Sequence, residues 1–295
     1  MKANAIIRIV CFSLAIVLLS SILLGALVFG MYVSDGRIHV ENHAEVEPVI
    51  SLKQDQISPD VQNIEIEWAA GSITITEGTS VHDIQIAEYS PDNSKYRTVI
   101  KQSGQTLKIK FSEDSVKFSG FGTDIDFSKD LEIVVPAGWS CNSIEIDAAS
   151  ADVEIRNLRI DELDLDGASG FLNLDNCEIG KLDVDTASGD VEFIGTLKEL
   201  DFDAASAQFN GEFFSVPSKL NLDAMSGDMT LVLPEYSGFY LELDTMSGSF
   251  DSDFDFHTMG AHYECGNGAC KIKVSAMSSD VCILKGISDP ENCSH

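Results

Sequence analysis

Six aspartates recur at one place in a repeated sequence: Asp147, Asp166, Asp185, Asp203, Asp223 and Asp244. Each stands three residues before a serine. Two residues ahead of them run Glu145, Asp164, Asp183, Asp201, Asn221 and Glu242. Carboxylates are hard oxygen donors, so such a column could gather Ca²⁺ or Mg²⁺, or hold a cationic component of a cell envelope. The competing reading is a solvated face that keeps sheet edges from aggregating. The column is therefore the candidate metal site, and no other cofactor is expected beyond weakly held Ca²⁺ or Mg²⁺.

Other chemistry is poorly represented. His39, His43, His82, His257, His262 and His295 form neither an HxH nor an HExxH pattern, which argues against zinc. The run Gly167-Ala168-Ser169-Gly170 lacks the spacing of a nucleophile elbow. The repeated serines read as corner residues whose hydroxyls bond the backbone. An active site needs one idiosyncratic pair of acids with displaced pKa values, whereas these acids repeat uniformly. No catalytic or cofactor-binding residue is expected, and the chain reads as a non-enzyme. Cys265 and Cys270 flank Gly266-Asn267-Gly268-Ala269, a sequence suited to a hairpin tip. Opposed positions there could form a disulfide; two separate buried thiols are the alternative.

The elements that carry these residues follow from the repeat itself. The corner serines are Ser150, Ser169, Ser188, Ser206, Ser226, Ser247 and Ser278, spaced 19, 19, 18, 20, 21 and 31 residues apart. A divergent first copy surrounds Ala70. Before each corner, apolar and acidic residues alternate with a period of two, which is strand and not helix. Leu182-Asp183-Val184-Asp185 is one example. The residues six and four before the serine and three after it form apolar columns expected to be core. The residue one before it (Ala149, Ala168, Ala187, Ala205, then Met225, Met246, Met277) is also expected inside, in a core that widens toward the carboxyl end. A unit this short cannot bury its apolar face alone, but stacked units can. The expected fold class is all-β: a parallel β-solenoid (β-helix) of 18–21-residue coils preceded by one transmembrane helix. A two-layer sandwich is the weaker alternative.

Composition constrains location and partners. The chain has 295 residues, with 19 Lys+Arg against 48 Asp+Glu and a net charge of −29. Between residues 141 and 256 there are 26 acidic and 5 basic residues. Such a surface excludes nucleic acid, which requires a basic face. Ile9 to Val33 is an uncharged stretch of 25 residues, long enough for a membrane span; a cleaved signal is the competing reading. Lys2 and Arg8 precede it, so the amino terminus is expected in the cytoplasm and residues 34–295 outside. The expected organisation is a cytoplasmic tail (1–8), a transmembrane helix (9–33) and a stalk (34–62). Irregular β coils and a cap (63–140), solenoid repeats (141–288) and a short tail (289–295) follow.

The Ser-Gly-x-hydrophobic-x-hydrophobic corners resemble those of the bacterial "putative adhesin" β-strand-repeat domain, a family of unknown function. The closing run Tyr263-Glu264-Cys265-Gly266-Asn267-Gly268-Ala269-Cys270-Lys271-Ile272-Lys273-Val274 does so too. The resemblance covers about residues 60–285. It implies a membrane-anchored β-solenoid of the bacterial cell envelope, sometimes encoded near envelope-stress regulators, and it carries over no catalytic residues. Ser279 departs from it, since glycine is expected there. The function expected is a non-catalytic, adhesin-like or envelope-stress interaction module whose partner is an envelope protein or polymer. A carbohydrate-active β-solenoid enzyme is the alternative.

Overall fold

The computed structural model describes residues 49–90, 97–112, 128–260 and 262–286. The predicted cytoplasmic tail and transmembrane helix lie outside these, as do the first part of the stalk and the carboxyl tail. Among the described residues every regular element is a strand, and no helix is long and apolar enough to cross a membrane.

The coils are β-solenoid-like, and the repeat sets their register. Strands β7 (Ser140–Arg156), β8 (Arg159–Ser169), β9 (Leu172–Ser188) and β10 (Val191–Ser206) carry the first regular corners. They pair in parallel, and equivalent residues of successive copies face one another: Ile144 with Leu163, Leu163 with Leu182, Leu182 with Leu200. Beyond the corner Val153, Leu172 and Val191 align in the same way. A one-residue slip would turn every apolar side chain outward, so burial of one face fixes the register. Ile144, Leu163, Leu182 and Leu200 are all essentially inaccessible to solvent. Each such burial stabilises by about 1.5–3 kcal/mol relative to exposure.

The divergent first copy is part of the stack. Strand β2 (Asn63–Gly78) pairs in parallel with β7 across an 80-residue gap, with Ile64 against Ile144 and Ile73 against Val153. The intervening segment covers the free edge of β2 with two parallel strands, each carrying an antiparallel neighbour. β4 (Val99–Ser103) forms a hairpin with β5 (Thr106–Lys110), which lies against β2. On the other side β6 (Lys129–Pro136) pairs with β2, and β3 (Ile84–Ser90) runs antiparallel to β6. β1 (Val49–Ile57) completes that edge antiparallel to β3, so part of the predicted stalk is sheet. The cap buries an ion pair: Lys129 Nζ reaches Glu88 Oε2 at 3.1 Å, Thr98 Oγ1 at 2.6 Å and the Phe111 carbonyl at 2.7 Å. These acceptors offset the desolvation of a cation that lies 4.1 Å from the Phe111 ring centre.

At the carboxyl end spatial order departs from chain order. The strands there are β11 (Phe209–Phe213), β12 (Lys219–Ser226), β13 (Met229–Pro234), β14 (Phe239–Ser247) and β15 (Phe250–Ser252). They continue with β16 (His257–Met259), β17 (His262–Cys265), β18 (Cys270–Ser278) and β19 (Val281–Gly286). β12 does not pair with β14. The last repeat inserts between them: β18 pairs with β12 on one side and β14 on the other, and β19 likewise joins β13 to β15. β17 then closes the outer edge antiparallel to β14, with β16 beyond it.

The column one before the serine corrects the sequence expectation. It faces outward, with Met246 82% and Met277 51% exposed. A period of two groups it with the acids two and four positions earlier, not with the core. The interior at this end is filled by rings instead: Phe202 and Phe209 lie 5.5 Å apart, and Phe239 meets Phe254 edge-on at 5.6 Å.

The corners explain the departure at Ser279. Gly227 and Gly248 have φ of +133° and +132°, and a Cβ on either would overlap a backbone carbonyl of the neighbouring coil. The carbonyl belongs to Ala207 at Gly227 and to Ser279 at Gly248. Glycine is required where the backbone approaches, whereas the residue supplying the carbonyl keeps a small, buried side chain.

Candidate functional site

The acidic columns form as aligned rows on the outward face. Asp147, Asp166, Asp185, Asp203 and Asp223 are consecutive cross-strand partners on β7, β8, β9, β10 and β12. The inserted strand changes the next step, because Ser275 of β18 lies between Asp223 and Asp244. In the companion row, Glu145, Asp164, Asp183, Asp201 and Asn221 are followed by Lys273 and only then by Glu242. The six-aspartate column is thus five contiguous carboxylates and one set apart.

Basic residues mark both ends of this field. Lys108 and Lys110 of β5 bind Glu65 and Glu67 of β2 at one end. Lys273 Nζ lies 3.8 Å from Asp223 Oδ2 at the other. Within the field Lys181 bonds Asp183 at 2.6 Å and stands 3.7 Å from Glu162. Successive members of a row lie on strands about 4.8 Å apart, where two like charges repel by roughly 0.9 kcal/mol even in water-like dielectric.

The carboxyl groups respond as expected of crowded acids. Burial against the sheet, then the neighbouring carboxylates Asp223 and Asp185, pushes Asp203 up to about 6. Asp185 is raised by burial and then by Asp166, Asp183 and Asp201. Asp147 is raised by burial and then by Asp166 and Glu67, with Lys110 opposing. Asp164 is raised by burial, then by Asp166, Asp183 and Glu145, with Lys181 opposing. Among the described residues no group of three or more His, Cys, Asp or Glu side chains is arranged to hold one metal ion. Carboxylates spread along parallel strands offer a diffuse negative field rather than a convergent cage.

A second carboxylate row escaped the sequence reading and is structural. Two residues after the corner, Asp152 Oδ1 accepts the Phe171 N–H at 2.9 Å, and Asp190 Oδ1 accepts the Gln208 N–H at 2.9 Å. Asp228 accepts from Asp280 at 3.1 Å, and Asp280 from Ser249 N–H at 2.7 Å and Oγ–H at 2.8 Å. Those two bonds hold the Asp280 carboxyl below its usual range. Each aspartate satisfies an amide left over where the next coil turns. The Ser-x-Asp spacing at Ser150, Ser188, Ser226 and Ser278 was the available signal.

The serines differ slightly from expectation. Ser169 Oγ–H donates to Ser150 Oγ at 3.2 Å and Ser226 Oγ–H to Ser206 Oγ at 3.3 Å, so hydroxyls bond between coils rather than to the backbone. A further ladder lies at the opposite corner. Asn157 and Asn176 adopt φ of +57° and +52°, and Asn176 Nδ2 donates to Asn157 Oδ1 at 2.7 Å. Asparagine tolerates this conformation better than other residues with a Cβ.

Cys265 and Cys270 do not sit on a two-stranded hairpin. Phe239 of β14 pairs with Cys265 on one side and with Cys270 on the other, so β14 runs between the two cysteine strands. Two sheet spacings, about 9.6 Å, exceed the reach of a disulfide. Both thiols are free and buried, and burial pushes Cys270 up to about 12. The intervening loop folds over Gly238, whose carbonyl accepts the Cys270 N–H at 3.0 Å.

With the stacked coils and the acidic face described, the chain can be set beside known proteins. The family model Toastrack DUF4097 matches residues 124–284, more than half of the chain, and the protein belongs to that family. No curated protein matches. The solved structures that the chain resembles include three that cover most of it. A "putative cell adhesion protein" from Clostridium sporogenes is 12% identical, covering 81% of this chain and 100% of its own, with a TM-score of 0.40. A "putative adhesin" from Bacteroides fragilis is 17% identical, covering 78% and 96%, with a TM-score of 0.45. A "Putative lipid binding protein" from Parabacteroides distasonis is 14% identical, covering 82% and 98%, with a TM-score of 0.35.

Proposed function

We propose that this chain is a non-catalytic interaction module of the bacterial cell envelope. It is held to the membrane by residues 9–33, with 34–295 outside, and it engages a cationic envelope protein or polymer through its acidic field. The observation that carries this reading is the in-register row of five carboxylates from Asp147 to Asp223, doubled by its companion row. Like charges this close raise the free energy of the folded state, and a polycation laid along the rows would relieve that cost. The rows follow the stack, so an extended or multivalent cation fits better than a single point charge. Ca²⁺ or Mg²⁺ enters this reading only as loosely held counterions.

The test is a panel of polymers offered to the full chain. Oligolysine should bind, with affinity falling steeply as NaCl rises toward physiological strength, where the screening length is about 8 Å. Polyglutamate and a neutral glycan should not bind. Equal binding of all three, or turnover of an envelope polysaccharide, would overturn the reading, and turnover would favour the carbohydrate-active alternative.

A further inference from the structure

The outward column that changes from alanine to methionine has a chemistry the acidic rows lack. Met225, Met246 and Met277 each precede a corner serine, and they belong to three different repeats. Their spatial order is Met225, Met277, Met246, because β18 is inserted between β12 and β14. Ala224 faces Ala276 and Ser226 faces Ser278 on one side of β18; Thr245 faces Ala276 and Ser247 faces Ser278 on the other. The three methionines therefore occupy adjacent cross-strand positions about 4.8 Å apart, on one face of the sheet. Without the insertion, Met277 would not lie between the other two.

Their exposure is notable. Met246 is 82% and Met277 51% exposed, and Met225 is half-buried. Burying such a side chain would be favourable, yet the fold leaves it on the outer face at successive strands while filling its interior with phenylalanine. The methionine side chain is long and unbranched, so the outer two can bend toward the middle one. Thioether sulfur is a soft, uncharged donor that needs no deprotonation, and it selects Cu(I) over the hard cations that carboxylates prefer. Asp223 and Asp244 share the outward face two residues before Met225 and Met246, which adds a field attractive to a cation. Asp223 Oδ1 is buried and has no hydrogen-bond partner among the described residues.

We propose that Met225, Met277 and Met246 form a three-thioether site for a single Cu(I) ion. The site is separate from the carboxylate rows, and it exists because the last repeat threads between two earlier ones. Cysteines are the competing soft donors. Cys141, Cys177, Cys265 and Cys270 are buried away from the outward methionine face, and burial also raises each thiol, to about 12 at Cys141 and Cys270 and about 11 at Cys177. Cys282 is partly exposed and must be blocked.

The experiment uses the full chain with accessible thiols alkylated, titrated with Cu(I) against a chromogenic Cu(I) chelator. One equivalent should be withdrawn from the chelator. The triple variant Met225→Leu, Met246→Leu, Met277→Leu keeps volume and apolarity, so its fold, checked by circular dichroism, should persist while Cu(I) uptake is lost. Each single variant should weaken uptake at least tenfold. As a second readout, Ag(I) should shift the methyl resonances of these three methionines and not that of the buried Met229. No uptake by the alkylated protein, or equal uptake by the triple variant, overturns the proposal.

Discussion

Asp203 shows most clearly what the acidic rows cost. Its carboxyl lies at about 6, whereas an unfolded aspartate titrates near 3.9. Between these values the folded state holds a proton that the unfolded chain has released, so stability falls as pH rises through this window. The side chain reaches solvent, and screening reduces the cost at pH 7 to about 1 kcal/mol. Asp203→Asn should therefore raise the melting temperature at pH 7 and flatten its decline between pH 4 and 6. An unchanged slope in thermal melts across that range would contradict the assignment. Much of this site was legible from residue type alone, because an acid at every second position before each serine must face outward. Less visible was the ordering of causes: partial burial against the sheet is a larger cause than any single neighbouring carboxylate at Asp147, Asp164, Asp185 and Asp203. The methionine column reads as core only when apolar type is placed above the period of two, and the period sets it outside. The corner row of Asp152, Asp190, Asp228 and Asp280 was missed because its partners are amides of another coil, which no linear pattern displays.

At the scale of the strand and corner, the repeat dictates register but not sequence-to-space order. β12, β14 and β18 carry interchangeable patterns: Leu220, Leu241 and Ile272 are equivalent, as are Leu222, Leu243 and Val274. Any order of the three keeps apolar residues stacked, so the pattern could not reveal the insertion. The 31-residue spacing between Ser247 and Ser278 was its one trace, since the extra length accommodates β16 and β17. The same insertion separates Cys265 from Cys270 and so removes the hairpin that their spacing suggested. The corner, by contrast, makes a sharp prediction. Gly248→Ala forces a side chain against the Ser279 carbonyl at a φ of +132° and should destabilise by at least about 2 kcal/mol. Ser279→Gly, on the opposing coil, should cost less than about 1 kcal/mol. Chemical denaturation of both variants gives the comparison, and equal losses would mean that the corner is not limited by that approach.

In the whole molecule a net charge of −29 is combined with a fold that aligns nine carboxylates in two adjacent rows on one face. The apolar columns supply the stability that tolerates the repulsion, and antiparallel strands close both ends of the stack. If the rows are kept for a cationic partner, stability and binding must respond in opposite directions when they are neutralised. The direct measurement is a pair of experiments on the triple variant Asp166→Asn, Asp185→Asn, Asp203→Asn: its melting temperature and its oligolysine isotherm at fixed salt. The variant should melt higher than the parent at pH 7 and bind oligolysine at least tenfold more weakly. A variant that melts higher but binds with undiminished affinity would show the rows to be a solvated face alone, and would contradict the proposed function.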